Sequence, residues 1–212
     1  MSFEKMQIRD FVEKVADKSP TPGGGAVSAI VACLAAALNE MVAQLTLGRE
    51  DYAEWHAEME RVTEEMEEIR HVLLELADAD AEAFDEVMNA YKLPKETEEE
   101  KEKRRKCIQE ALKRAAHVPY EICRCCRDIV KAALVVATWG NVNAISDAVS
   151  AAEMAYGAFQ SAKANVLINL KSIKDETFVE NMRHELRNFT GEVEGALEDV
   201  RQIAKQRAAI EL

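Results

Sequence analysis

Apolar residues along this chain recur three and four positions apart, and no stretch alternates polar with apolar as a half-buried strand would. Only four prolines and eight glycines interrupt 212 residues, so the elements are long. The pattern predicts an all-α fold: a bundle of about five long antiparallel helices plus a short N-terminal helix, in a single domain over residues 1–212. The short helix covers Ile8–Ala16. A long apolar helix follows Gly25 and ends near Gly48. Asp51 is placed to cap a second helix from about Ala53 to Tyr91. Lys92–Lys95 breaks the pattern, and Thr97 with Glu100 forms a capping box for the next helix. Val118-Pro119 is expected to kink or divide that helix, which continues to about Thr138. Gly140-Asn141 reads as a turn. A helix from Asn143 to Ser172 and a last one starting at Asp175 complete the chain. Glu98–Lys106 is a charge run that reads as a solvated face.

The stretch Ser19-Pro20-Thr21-Pro22-Gly23-Gly24-Gly25 stands out. Two prolines bar a helix there, and three glycines leave the backbone bare where the apolar helix begins. The first helical turn thus offers unpaired N–H groups that can receive a carboxylate, a carbonyl or a ring edge. The same residues also suit a tight loop between closely packed helices.

Two helical rows carry candidate chemistry. Val62, Met66, Ile69, Leu73, Leu76, Phe84, Val87 and Tyr91 form an apolar stripe, and its gap is filled by Asp80, which falls within roughly 40° of that row at about 100° per residue. An acid there is costly unless paired or used, and burial would raise its pKa. It is either a proton-transfer group, a buried acid bonded to a neighbouring helix end, or a stripe end facing water. Asp78 points the other way and is expected in solvent. The second row is Asn143, Asp147, Ser150, Met154, Gly157, Ser161 and Asn165, polar yet nearly uncharged and flanked by alanines. It suits either a pocket for a heteroaromatic ligand or a hydrogen-bonded seam between helices.

Metal chemistry finds little support. Glu68 and His71 have the spacing used in di-iron bundles, but no second such motif exists, and His71 lies opposite the apolar stripe. Five cysteines show no framework spacing. Cys126 falls on an apolar row and Cys33 in the alanine-rich helix, so both read as reduced core thiols of a cytoplasmic protein. The first ten residues contain Glu4, Lys5, Arg9 and Asp10, and no secretory leader is read there. The run Ala26–Leu38 is too short for a membrane span and passes into Asn39 and Glu40. The formal charge of −12 argues against nucleic acid and anionic membrane as partners.

The chain resembles the cyclodeaminase/cyclohydrolase family of folate enzymes. The likeness rests on Ser19-Pro-Thr-Pro-Gly-Gly-Gly with the helix ending Met41-Val-Ala-Gln-Leu-Thr-Leu-Gly, on Asp80-Ala-Glu-Ala-Phe84, on Gly140-Asn-Val-Asn143 with Ser146-Asp147, and on Asn165-Val-Leu-Ile-Asn-Leu170. It spans almost the whole chain. It implies chemistry at the carbon bridging N5 and N10 of tetrahydrofolate. A cyclodeaminase closes 5-formiminotetrahydrofolate to the 5,10-methenyl form and releases ammonia; a cyclohydrolase opens that bridge with water. Residue by residue, the resemblance makes Asp80 the general acid/base. It makes Ser19, Pro20, Thr21, Gly23, Gly24, Gly25, Asn141, Asn143, Asp147 and Asn165 the substrate-binding set. It implies no cofactor beyond the folate substrate, no metal, and a homodimer. Cyclodeaminase is the leading reading, cyclohydrolase the alternative, and a non-catalytic helical dimer that binds folate or protein a third. Folates are anionic, so a local basic patch is required, and the sequence does not locate one.

Overall fold

The computed structural model describes residues 2–211, and every regular element among them is helical. Six α-helices follow in order: α1 Ile8–Ala16, α2 Gly24–Leu47, α3 His56–Tyr91, α4 Glu98–Trp139, α5 Ile145–Leu170 and α6 Glu176–Ala208, with short 3-10 turns at Phe3–Lys5, Glu50–Trp55 and Val142–Ala144. α2, α4 and α5 form the middle of the bundle. α3 packs against α2 and α4, and α6 against α4 and α5.

The core is built on small residues. Ala26, Ala29, Ala32, Ala35, Ala36 and Ala43 of α2 are fully buried, as are Ala148, Ala151, Ala152, Ala155 and Ala162 of α5. Short side chains let these two helices approach closely, while Phe159, Met59, Met66, Leu73, Ile122 and Ile129 fill the wider gaps around them. α2 is the one described helix long and apolar enough to cross a membrane by length and composition, but it lies in the core with half of its apolar window buried. Its polar residue Asn39 is buried and donates to the Ile129 carbonyl at 2.8 Å, tying α2 to α4.

Helix ends follow their side chains. The Thr97 hydroxyl accepts from the Glu100 N–H at 3.2 Å, and the Glu100 carboxylate accepts from the Thr97 N–H at 3.0 Å, the reciprocal capping box. The Asp175 carboxylate accepts from the Phe178 N–H at 3.0 Å and starts α6. The expectation at Asp51 fails. Asp51 pairs with Arg49 at 2.7 Å, residues 50–55 wind as a 3-10 turn, and α3 begins at His56 without a side-chain cap.

Pro119 does not divide the chain into two helices: α4 runs continuously from Glu98 to Trp139 with Val118 and Pro119 buried inside it. Proline brings no N–H, so the Ala115 carbonyl four residues earlier loses its usual donor. Asn169 of α5 supplies the replacement, its Nδ2 donating to Ala115 O at 2.7 Å. A cross-helix amide thus repairs the break in the α4 ladder. Tyr91, expected on the buried stripe of α3, is exposed where that helix ends. Asp78, expected in solvent, is half-buried and accepts from the Phe3 N–H at 2.7 Å, which fastens the N-terminal turn to α3.

Candidate active site

The N-terminus of α2 has no side-chain cap of its own, since Gly23 occupies that position. Asp80 of α3 fills the role from across the bundle: its Oδ2 accepts from the Ala26 N–H at 3.0 Å. Gly25 makes this possible. A Cβ there would collide with the Asp80 carboxyl group, so the acid occupies the space that a side chain would take. At Gly24 a Cβ would come within 3.1 Å of the Asn165 Nδ2. The glycines are therefore needed for close approach, and the N–H groups of Gly24 and Gly25 keep no acceptor among the described residues.

A cavity of about 390 Å³ opens at this point, lined by Pro20, Thr21, Gly23 and Gly24 of the loop and helix start, Asp80, Phe84 and Val87 of α3, Ala115 of α4, and Asn165, Ile168 and Asn169 of α5. Its walls are apolar at Phe84, Val87 and Ile168, and its polar groups converge from three elements, the arrangement expected of a small-molecule site. Asp80 is mostly buried. Burial raises its pKa above the usual carboxylate range, with the Ala26 N–H pulling the other way, and no basic side chain offsets the burial. A larger hollow of about 550 Å³ near Tyr91 and Gln109 has no such convergence, and its Arg105 is already paired with Glu102 at 3.0 Å.

The two asparagines of α5 are pre-set. Asn165 Nδ2 donates to Ser161 O at 2.9 Å, and Asn169 Nδ2 donates to Ala115 O at 2.7 Å. Neither Oδ1 accepts a hydrogen bond among the described residues, so each amide is anchored through its donor side and keeps an acceptor unused at the cavity wall.

Of the residues predicted from the sequence, Pro20, Thr21, Gly23, Gly24, Asp80 and Asn165 meet in this cavity. Gly25 lies behind the carboxyl group. Ser19 is exposed and donates to the Thr21 carbonyl at 3.0 Å, holding the loop rather than lining the site. Asn141, Asn143 and Asp147 lie elsewhere in the chain. α5 runs antiparallel to α2, and 18 residues of helix put Asp147 about 27 Å along the axis from Asn165. There Asn141 is a buried turn residue: its N–H donates to Thr46 Oγ1 at 2.8 Å, and its Oδ1 accepts from the Asn143 N–H at 3.0 Å. Arg207 of α6 reaches the same corner and donates to the carbonyls of Ala137 and Gly140. The predicted polar row of α5 is no interior seam either: Asn143, Ser150 and Gly157 are exposed and Asp147, Met154, Ser161 and Asn165 half-buried. Phe84, Val87, Ala115, Ile168 and Asn169 are the lining residues that side-chain patterning missed. For Asn169 a signal was present, one turn after Asn165 on the same face.

No group of three or more His, Cys, Asp or Glu side chains among the described residues is arranged to hold a metal ion. His71 is exposed, as expected, and burial raises the pKa values of Cys125 and Cys126, which remain free thiols.

The sequence profile described as formiminotransferase-cyclodeaminase matches residues 7–188. A methenyltetrahydrofolate cyclohydrolase of Methylorubrum extorquens is 44% identical over 192 residues, 91% of this chain and 92% of that protein. The formimidoyltransferase-cyclodeaminase of Rattus norvegicus is 38% identical over 185 residues, which span 87% of this chain and 34% of the larger rat protein. In three dimensions the chain is similar to a formiminotetrahydrofolate cyclodeaminase of Thermotoga maritima, with a TM-score of 0.87, 42% identity, and coverage of 96% of this chain and 98% of that one.

Proposed function

The chain belongs to the formiminotransferase-cyclodeaminase family, and from that premise we propose that it is a folate one-carbon enzyme that closes 5-formiminotetrahydrofolate to 5,10-methenyltetrahydrofolate and releases ammonia. The observation that carries this reading is Asp80: a carboxyl group with raised pKa, free of any cationic partner among the described residues, lining a cavity of mixed polar and apolar walls beside unpaired backbone donors. N10 of the substrate attacks the carbon of the protonated formimino group, whose iminium nitrogen takes up the C–N π electrons, and gives a tetrahedral carbon bearing an amino group. Asp80 takes the proton released from N10 and passes it to that amino group, which leaves as ammonia. The positive charge ends on the N5–C–N10 amidinium. A carboxyl group that burial makes a stronger proton acceptor than an exposed one suits such a shuttle. The proton moves within the substrate by way of one side chain, so the reaction calls for no metal or redox group.

The cavity offers matching contacts. The Gly24 and Gly25 N–H groups and the Asn165 amide would orient the reacting bridge, and Phe84 and Val87 would lie against the flat faces of the substrate. A second reading, cyclohydrolase, is favoured by the full-length similarity to the Methylorubrum enzyme. There Asp80 would act first as a base toward water. Supplying the purified protein separately with 5-formimino- and 5,10-methenyltetrahydrofolate decides between them. Appearance of methenyl absorbance in the first reaction supports cyclodeaminase, and its loss in the second, faster than without enzyme, supports cyclohydrolase. No change in either assay overturns both. The protein is further read as a pair of identical chains, which the uncovered face of α2 favours.

A further inference from the structure

Asn169 is set in place by a residue of another helix. In α4 the Ala115 carbonyl would ordinarily accept from the backbone N–H four residues on, and Pro119 at that position has none. Ala115 is buried, so its carbonyl needs a donor from within the protein. The Asn169 Nδ2 supplies it from α5 at 2.7 Å. The two ends of a side-chain amide are not alike: the nitrogen only donates and the oxygen only accepts. A carbonyl accepts from the nitrogen end alone, so the contact with Ala115 admits a single way round for the Asn169 amide. Oδ1 is the end left over at the cavity wall, and no donor meets it among the described residues. Asn165 is oriented in the same sense by Ser161 O, but that bond lies within its own helix and depends on no distant residue.

The other walls decide what belongs against that oxygen. Backbone donors stand at the α2 end of the cavity, where the Gly24 and Gly25 N–H groups keep no acceptor among the described residues and Asp80 lies beside them. α5 contributes two amide oxygens, and no Lys, Arg or His side chain lines the cavity. Between these ends Phe84, Val87 and Ile168 give apolar surface. Asn169 stands one helical turn beyond Asn165, about 6 Å along α5. A ligand that satisfies this cavity is therefore flat and apolar across its body and carries N–H donors on the edge that reaches Asn169. On the folate reading the reacting bridge lies at Asp80 and Asn165. The pyrimidine half of the pterin begins one fused ring away, and its edge carries N3–H and the 2-amino group side by side. One turn of helix covers that reach.

We propose that the Asn169 Oδ1 accepts from N3–H and the 2-amino group of the pterin, and that Pro119, by withholding its own N–H, is the positioning residue that keeps this oxygen turned toward the ligand. The inference deepens the folate reading and rests on it. An amide oxygen has two lone pairs, enough for both donors. The arrangement gives the cavity a rule of selection. A 2-amino-4-oxo ring carries a hydrogen on N3 and fits. A neutral 2,4-diamino ring carries a lone pair there instead, which faces the lone pairs of Oδ1. A site built to hydrogen-bond one ring rejects the analogue that lacks the hydrogen, because its own polar group is then left unpaired.

The test is the ratio of two affinities. Binding of tetrahydrofolate and of its 4-amino-4-deoxy analogue is measured by calorimetry at a pH where both rings are neutral. The parent should hold the oxo compound at least about tenfold tighter. Asn169→Leu should lower that ratio by about tenfold, because the oxygen that tells the rings apart is gone. The same change leaves Ala115 O without a donor, so Pro119→Ala/Asn169→Leu is measured beside it. Alanine at 119 returns the backbone N–H to Ala115 O and leaves no polar group unpaired, and the same fall in the ratio is expected there. Pro119→Ala alone sets two donors against one carbonyl and frees the Asn169 amide to turn, so the ratio should fall by a few-fold. A merely structural contact would lower the thermal midpoint of Asn169→Leu and recover it in the double variant, and it would leave the ratio where it was. A ratio within about twofold of the parent's in the double variant overturns the inference, as does a parent that binds both compounds equally. A parent that binds neither compound counts against the folate reading itself, a result distinct from binding without selection.

Discussion

Asp80 is held by one backbone hydrogen bond and by the missing side chain of Gly25, so its neighbours can be changed one atom group at a time. Asp80→Asn keeps an oxygen that can accept from Ala26. It should bind folate with little change in KM while turnover falls at least about a hundredfold in steady-state assays. Its stability should follow pH in a definite direction. Burial raises the folded carboxyl above its ordinary value, and the unfolded chain restores that value. Between the two values the native state holds a proton that the unfolded state has released. Ionisation therefore imposes a penalty on the native state, and that penalty is full above the folded value and disappears as pH falls to the ordinary carboxylate range. The Asn variant should resist urea better than the parent at neutral pH, and the gap should close on acidification. Gly25→Ala forces the carboxyl group out of its niche. A loss of about 1–3 kcal/mol in urea unfolding is expected from the crowding, together with a fall in turnover of at least about tenfold.

At the scale of elements, helix boundaries were legible wherever a side chain makes them. Thr97 with Glu100 and Asp175 start their helices as their residue types predict, and Thr97→Ala should lower unfolding free energy by about 1 kcal/mol in urea titrations without touching turnover. The boundaries that escaped the sequence are those decided by a partner distant in the chain. Asp51 was a sound cap by type, but Arg49 takes its carboxylate and leaves the first turn of α3 tighter. Pro119 reads locally as a break, yet the cost of its missing N–H is met by an amide fifty residues away in sequence. Asp78 looked solvated because its helix face is polar, and only the folded-back N-terminal turn covers it. Periodicity reports which side of a helix is apolar. It does not report what comes to cover that side, which is why Asp80 could be placed in the core row while Asn143 and Asp147 could not be placed relative to it.

For the molecule as a whole, charge and surface set terms that no single residue controls. The chain carries 27 basic and 39 acidic residues, and its proposed substrate is an anion. Long-range repulsion should slow encounter at low ionic strength, so KM should fall by a few-fold between about 0.02 and about 0.2 M salt as screening shortens to roughly 10 Å or less. A rise in KM over that range would instead reveal a local basic surface that attracts the substrate. The corner closed by Arg207 carries a different consequence. Its guanidinium joins the final turns of α6 to the carbonyls of Ala137 and Gly140, and the next residue, Asn141, shapes the entry to α5. A lesion in the last turns of α6 would therefore be transmitted through a strap of two hydrogen bonds to the turn that starts α5. Arg207→Ala should lower the unfolding free energy by about 1–3 kcal/mol in urea titrations, since two carbonyls lose a charged donor, while circular dichroism still reports an intact bundle.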